Sequence, residues 1–347
     1  MLEGLRRPTE LVVIVVILLA YGCPLQAIVP AYGLDERTVA AWQKRAGKHC
    51  HQVHHAIVEQ GKINAHHMQA AEIRAKGRNM IAWMGMAIAA STRMFLGGVV
   101  SIRRDRELAD RLLQQVRACC QRVQALLVCT DAWNAYPRSI LRAFREKVKK
   151  TAGRGRTCLE VWPELCLATV IKHPKKKRVV EITRKITLGP LEKAQELLKM
   201  SKGCQEFTTS LIERFTGTMR ERLASLTRKC RHAVHRLETL ETGMYLIGSP
   251  SNFCWPHHEV STAKYDGCPF TPAMAAGLTD HIWTVLELLS YQIAPAPWVE
   301  PKRTRRCGTG AVSDLSIPKR PRGRPRIHPV PDPTLPKRPR GRPRKIA

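Results

Sequence analysis

The chain has 347 residues, with 58 Lys or Arg against 28 Asp or Glu and a formal net charge of +30. An excess of that size points to a polyanionic partner, while 44% apolar residues leaves room for a genuine core and for two or three domains. Twelve cysteines without a CxxC pair exclude a zinc knuckle or ribbon, and they fit reduced, mostly buried thiols in a cytoplasmic protein.

The first 23 residues resemble a leader, with Arg6 and Arg7 ahead of the apolar run LVVIVVILLA and then Gly22 and Cys23. Ten apolar residues fall short of the roughly twenty that a membrane span needs, and the residues after Cys23 favour another reading. Pro24 opens a helix, Gly33 makes a turn, and Asp35 caps the helix DERTVAAWQKR, which buries Val39 and Trp42 on one face and keeps Arg37, Lys44 and Arg45 for DNA. Residues 1–62 are therefore expected to form an all-α helix-turn-helix region with no membrane partner; a membrane-attached or secreted protein is the weaker alternative. Pro30 disagrees, at a cost of about 3 kcal/mol if the middle helix is continuous. The cluster HCHQVHH at 49–55 has no matching metal-ligand set, so its histidines are expected to face solvent or phosphate.

From residue 63 the pattern turns to strands. HHMQAAEIRAK, MIAWMGMAIAA and MFLGGVVSI read as three neighbouring strands, followed by the helix RELADRLLQQVRACC and the buried strand ALLVCTDAW. That order opens a ribonuclease H-like α/β fold, a mixed sheet flanked by helices, expected over 63–245. Asp131 ends the fourth strand, where a carboxylate either points at a metal or caps the next turn. Residues 157–186 read as further strands around a basic hairpin, PKKKRV. The helix SLIERFTGTMRERLASLTRKCR sets Glu213, Gly217 and Arg220 on one side. Residues 246–298 form a C-terminal helical segment, with Thr271 and Pro272 starting a helix in TPAMAAGLTDH.

Three of these blocks, QAAEIRAKG, TDAWNAY and IERFTGTMRERLASLTRKC, resemble the catalytic segments of small bacterial insertion-sequence transposases of the DDE class, and the similarity runs to about residue 298. The resemblance implies metal-dependent DNA strand cleavage and transfer, with Asp131 and Glu213 as catalytic carboxylates and ligands of two Mg²⁺ ions. It also implies binding of double-stranded DNA at element ends, assembly of a homo-oligomer on that DNA, and a nucleoid-associated place in the cytoplasm. The sequence departs from the pattern where the first Asp is Ala71. Glu72 is a poor substitute, because neighbouring strand residues point to opposite faces, and Thr216 replaces the family's asparagine. Catalysis is expected to be impaired; the alternative is a non-catalytic DNA-binding protein derived from a transposase.

The last 49 residues, 299–347, form a basic tail. Residues 301–347 hold fifteen Lys or Arg against two Asp, and PKRPRGRPR occurs at 318–326 and again at 336–344. Frequent proline and glycine predict an extended, disordered segment. Its centres, Arg322, Gly323, Arg324, Pro325 and Arg326, then Arg340, Gly341, Arg342, Pro343 and Arg344, resemble the AT-hook, a peptide thin enough for the narrow minor groove of A·T tracts. A solvated basic tail that binds any phosphate is the alternative.

Overall fold

The computed structural model describes residues 1–294, apart from 78–79, 121–122, 150–156, 176–177, 203, 227–233, 235 and 265–266. Both PKRPRGRPR repeats lie outside the described residues, as do Arg228, Lys229 and Arg231.

The chain begins with α1 (Thr9–Ala20), α2 (Leu25–Tyr32) and α3 (Glu36–His54). α1 carries the apolar run and buries Val12, Val15, Val16 and Leu19 against α3 and later helices. Among the described residues no helix is long and apolar enough to cross a membrane. Pro30 sits inside an unbroken α2, and Gly33 ends it with φ +58°, a left-handed conformation that suits glycine. The Asp35 carboxylate accepts the Arg37 N–H at 2.8 Å, so the cap expected from sequence is present. α3 is longer than its motif, at 19 residues, because its apolar positions continue through Ala46, Cys50 and Val53.

After a π-helical turn at His55–Glu59 come β1 (His67–Lys76), β2 (Ile81–Ala89), β3 (Met94–Ser101), α4 (Arg106–Cys119) and β4 (Leu126–Asp131). The chain continues through α5 (Ala135–Ala143), β5 (Arg145–Val148), β6 (Cys158–Val161), β7 (Leu165–Lys175) and β8 (Arg178–Leu188). Six strands form one mixed sheet in the order β3-β2-β1-β4-β7-β8, while β5 and β6 make a separate two-stranded sheet. β1, β4 and β7 run parallel; β2, β3 and β8 join by antiparallel pairs. The protein is thus mixed α/β, with a six-stranded sheet flanked by helices.

β4 shows why this strand is central. Its run Leu126–Cys129 is apolar at every position, and alternate side chains enter different cores: Leu126 and Val128 join the large cluster, Leu127 and Cys129 the small one. The small core is closed by α6 (Leu191–Ser201) through Ala194, Leu197 and Leu198. Next come α7 (Ser210–Arg222), a 3₁₀ turn at Ala224–Leu226, α8 (Leu237–Phe253), α9 (His258–Lys264), α10 (Pro272–Ala275) and α11 (Val285–Ser290). Thr271 caps α10 by accepting the Met274 N–H.

Several expectations change. The basic helix stops at Arg222, because Leu223 turns extended and packs where a Cβ on Gly243 of α8 would stand; the part of the expected helix from residue 227 on lies outside the described residues. α8 passes through residue 245, and residues 1–294 form one compact unit. α3 and α8 approach so closely that a Cβ on Gly47 would lie 2.8 Å from the Thr242 carbonyl carbon. The histidines of HCHQVHH do not all face solvent. His49 and His54 are buried on the carbonyls of Leu288 and Leu96, and His51 stacks on Tyr245 with ring centroids 3.9 Å apart. Ten described cysteines are free thiols, six of them buried.

Candidate active site

The site is assembled beneath α7 where β4 ends between its parallel neighbours β1 and β7, both of which run on. β1 and β4 pair through Ala70 and Thr130, so the next positions, Ala71 in mid-β1 and Asp131 at the end of β4, stand side by side. β4 pairs with β7 through Asp131 and Val170, and Lys172 lies two residues farther along β7. In neighbouring strands, paired residues share a face.

Gln69 and Glu72 fix the two faces. Gln69 is fully buried, and its side-chain oxygen accepts the backbone N–H groups of Leu211 and Ile212, each at 3.1 Å. Thr209, at the helix start, gives no side-chain cap, so a glutamine from β1 satisfies two of the amides that every helix leaves open at its first turn. The odd-numbered side chains of β1, Ala71 among them, therefore face α7. Glu72 faces the other way. Its cross-strand partner Gly85 lies against Leu108 and Leu112 of α4, and its carboxylate binds Arg104 and accepts the Tyr136 hydroxyl at 2.9 Å. Arg104 is sandwiched between Trp83 and Trp133, at 5.2 and 4.8 Å from the ring centres, which fixes the whole Glu72 arrangement.

Glu213 comes from the first turn of α7. It accepts the Thr209 hydroxyl at 2.5 Å and forms an ion pair with Lys172 of β7. A Cβ on Gly217 would meet nothing within 4 Å, so the side of α7 that carries Glu213 and half-buried Arg220 is open. Thr216 turns inward, with its hydroxyl on the Glu213 carbonyl at 2.8 Å. Asp131 accepts the Trp133 N–H at 3.1 Å. Burial, and then the negative charges of Glu72 and Glu213, push its pKa up to about 6.

Such a shift has a sign. A carboxyl with its folded-state pKa raised is stabilising below its ordinary range near 4, and that contribution is lost as pH rises through about 6. Asp131→Asn is therefore expected to raise the melting temperature at pH 7.5, by about 2–4 °C for each kcal/mol relieved. The gain should vanish below pH 4. Melting curves across pH 4 to 8 check it, and a variant that melts lower at pH 7.5 would contradict the buried-charge account.

The residues present do not fit a two-ion Mg²⁺ set. Asp131 and Glu213 are hard oxygen donors, but the position between them and β2 is a methyl group, Lys172 places an ammonium against Glu213, and Glu72 is engaged on the opposite face. Among the described residues no three His, Cys, Asp or Glu side chains converge as a metal cage.

The cations assigned to DNA divide. Arg37 is exposed, Lys44 pairs with Glu238 at 2.9 Å, and Arg45 donates to the Glu3 carbonyl at 2.6 Å. Lys44 and Lys48 together hold the Glu238 carboxyl down to about 2. Sequence reasoning missed Gln69, Lys172, Arg104 and Tyr136. Only Gln69 left a trace, as a polar residue at an apolar position of a strand.

Gln69→Leu should strip α7 of its cap while keeping the volume. We expect a loss of about 1–3 kcal/mol, the cost of a buried donor left unsatisfied, measured by urea denaturation. An unchanged midpoint would mean that water replaces the side chain. Comparison with protein-family models and with characterised proteins finds no match for this chain.

Proposed function

We propose that this protein is a DNA-binding protein of transposase architecture whose strand-cleavage chemistry is impaired at Ala71. The carrying observation is the register of β1 on β4: Ala71 and Asp131 stand side by side on the face that α7 covers, and Glu213 enters from the first turn of α7. The sheet order, with β2 and β3 antiparallel on one side of β1 and the parallel strands β4 and β7 on the other, supports a ribonuclease H-like reading. The three-helix N-terminal segment with its glycine turn supports a helix-turn-helix, in which α3 would enter the major groove with Arg37.

In this reading the folded part holds element ends, the two tail repeats hold A·T-rich minor groove, and copies assemble on DNA. Fold by itself does not fix function, so the weight falls on the carboxylates. They form a scaffold for phosphodiester chemistry that lacks one ligand, and Lys172 neutralises Glu213 in its place. The test is cleavage of supercoiled DNA with and without Mg²⁺ by this protein and by Ala71→Asp. Activity that appears only in the variant supports the reading; no activity in either, with salt-sensitive DNA binding retained, favours a purely DNA-binding descendant.

A further inference from the structure

A second site lies on a different face of α7. Leu211, Arg214, Phe215, Thr218 and Arg222, spaced three or four residues apart, line a cavity of about 150 Å³ closed by Arg93, His257 and Glu259. Its charges do not balance. Among the described lining residues three guanidinium groups meet one carboxylate: Arg93 donates to Glu259 Oε2 at 2.6 Å and Arg214 to Oε1 at 2.7 Å, while the acid that acts on Arg222 is its chain neighbour Glu221, outside the lining.

Arg222 is clamped between two rings, 4.6 Å from the centre of Tyr21 and 4.8 Å from that of Trp255. The rings hold its plane, and among the described residues Nη1 is buried with no hydrogen-bond partner. His257 Nδ1, on the same cavity, is also buried without one. Buried donors are almost always satisfied. Three arginines and one glutamate leave the lining of this small cavity net positive, which favours an oxyanion, and planar guanidinium groups suit phosphate. Phe215 and Leu211 supply an apolar wall beside them.

We propose that this cavity binds a phosphate group carried by a nucleotide, with Arg222, Arg214 and His257 as the contacting residues. The phosphate comes either from a nucleic-acid strand or from a free mononucleotide. This site stands on the cavity alone and holds whether or not the carboxylate cluster descends from a nuclease.

The full-length protein titrated with thymidine 5′-monophosphate, without Mg²⁺ and at fixed ionic strength, tests it. Trp255 touches Arg222, so tryptophan emission reports occupancy. A saturable change with the monophosphate and none with thymidine is expected. Because Arg222 also clamps two aromatic rings, the variants are Thr218→Glu, which adds an anion to the lining, and Arg214→Gln, whose parent side chain is 70% exposed. Each should weaken binding about tenfold, the loss of one charge-assisted hydrogen bond or its equivalent. Equal responses to monophosphate and thymidine, or variants that titrate like the parent, overturn the proposal. Competition identifies the source: a 5′-phosphorylated oligonucleotide that displaces the monophosphate better than its 5′-hydroxyl twin assigns a strand end, equal displacement assigns internal phosphates, and no displacement assigns the free nucleotide. Duplex binding measured in parallel tests the DNA-binding reading separately.

Discussion

Ala71→Asp is expected to create Mg²⁺-dependent DNA nicking at a rate at least about 100-fold above the parent, since changes even to outer-shell partners of metal ligands shift affinity or activity by 10- to 100-fold. The new carboxylate would extend from β1 toward α7, beside Asp131 and on the face that Glu213 enters. Three acids there repel one another and drive the Asp131 pKa beyond about 6, so without metal the variant should be less stable than the parent at neutral pH. Mg²⁺ reverses that. It gives the variant a melting gain of about 2.7 kcal/mol at a hundred times its dissociation constant, a gain the parent should lack. The double variant Ala71→Asp with Asp131→Asn should lose both effects. A parent that nicks DNA as fast as Ala71→Asp would show that the alanine is no lesion.

If the proposed minor-groove reading holds, Arg324→Ala combined with Arg342→Ala is expected to remove a preference of the full-length protein for A·T-rich over G·C-rich duplex. Each arginine sits at the centre of one repeat. A base-reading arginine contributes about 1–3 kcal/mol, so losing both should cost roughly 30-fold or more on A·T-rich duplex and far less on G·C-rich duplex. The log-log salt slope should fall by about 0.9 for each phosphate that the variant no longer neutralises. Equal losses on the two duplexes would instead identify a tail that counts phosphates. Filter binding or fluorescence anisotropy at several salt concentrations separates the two outcomes. The folded part keeps its own cations in either case, and the exposed side chain of Arg37 is one.

The elements of this protein were legible in the sequence wherever a pattern was local. Asp35 capped α3, Gly33 turned α2 into α3, and Thr271 with Pro272 opened α10, because capping and left-handed turns depend on a few adjacent residues. The strands from β1 to β4 followed from alternation and from apolar runs. Less local features escaped. α6 and β5 carry no such local signal, and the stop of α7 at Arg222 comes from Leu223 entering a gap beside Gly243 rather than from any breaker in the chain. Likewise His49 and His54 look like surface residues in a polar run, yet the packing of α3 buries them on carbonyls of Leu288 and Leu96, far away in sequence.

For the candidate site, the sequence by itself determined which acids were present, that residue 71 is an alanine, and that the chain carries a large positive charge. Only the tertiary structure decided their company. Parallel pairing of β1 with β4 set Ala71 beside Asp131, Gln69 seated α7 over that pair, and Lys172 reached Glu213 from a strand that the sequence leaves unconnected to it. Composition and spacing act along the chain. The electric field at a carboxylate is set by whatever folding brings within a few ångströms, and that depends on strand register and helix seating, which no single stretch of residues contains.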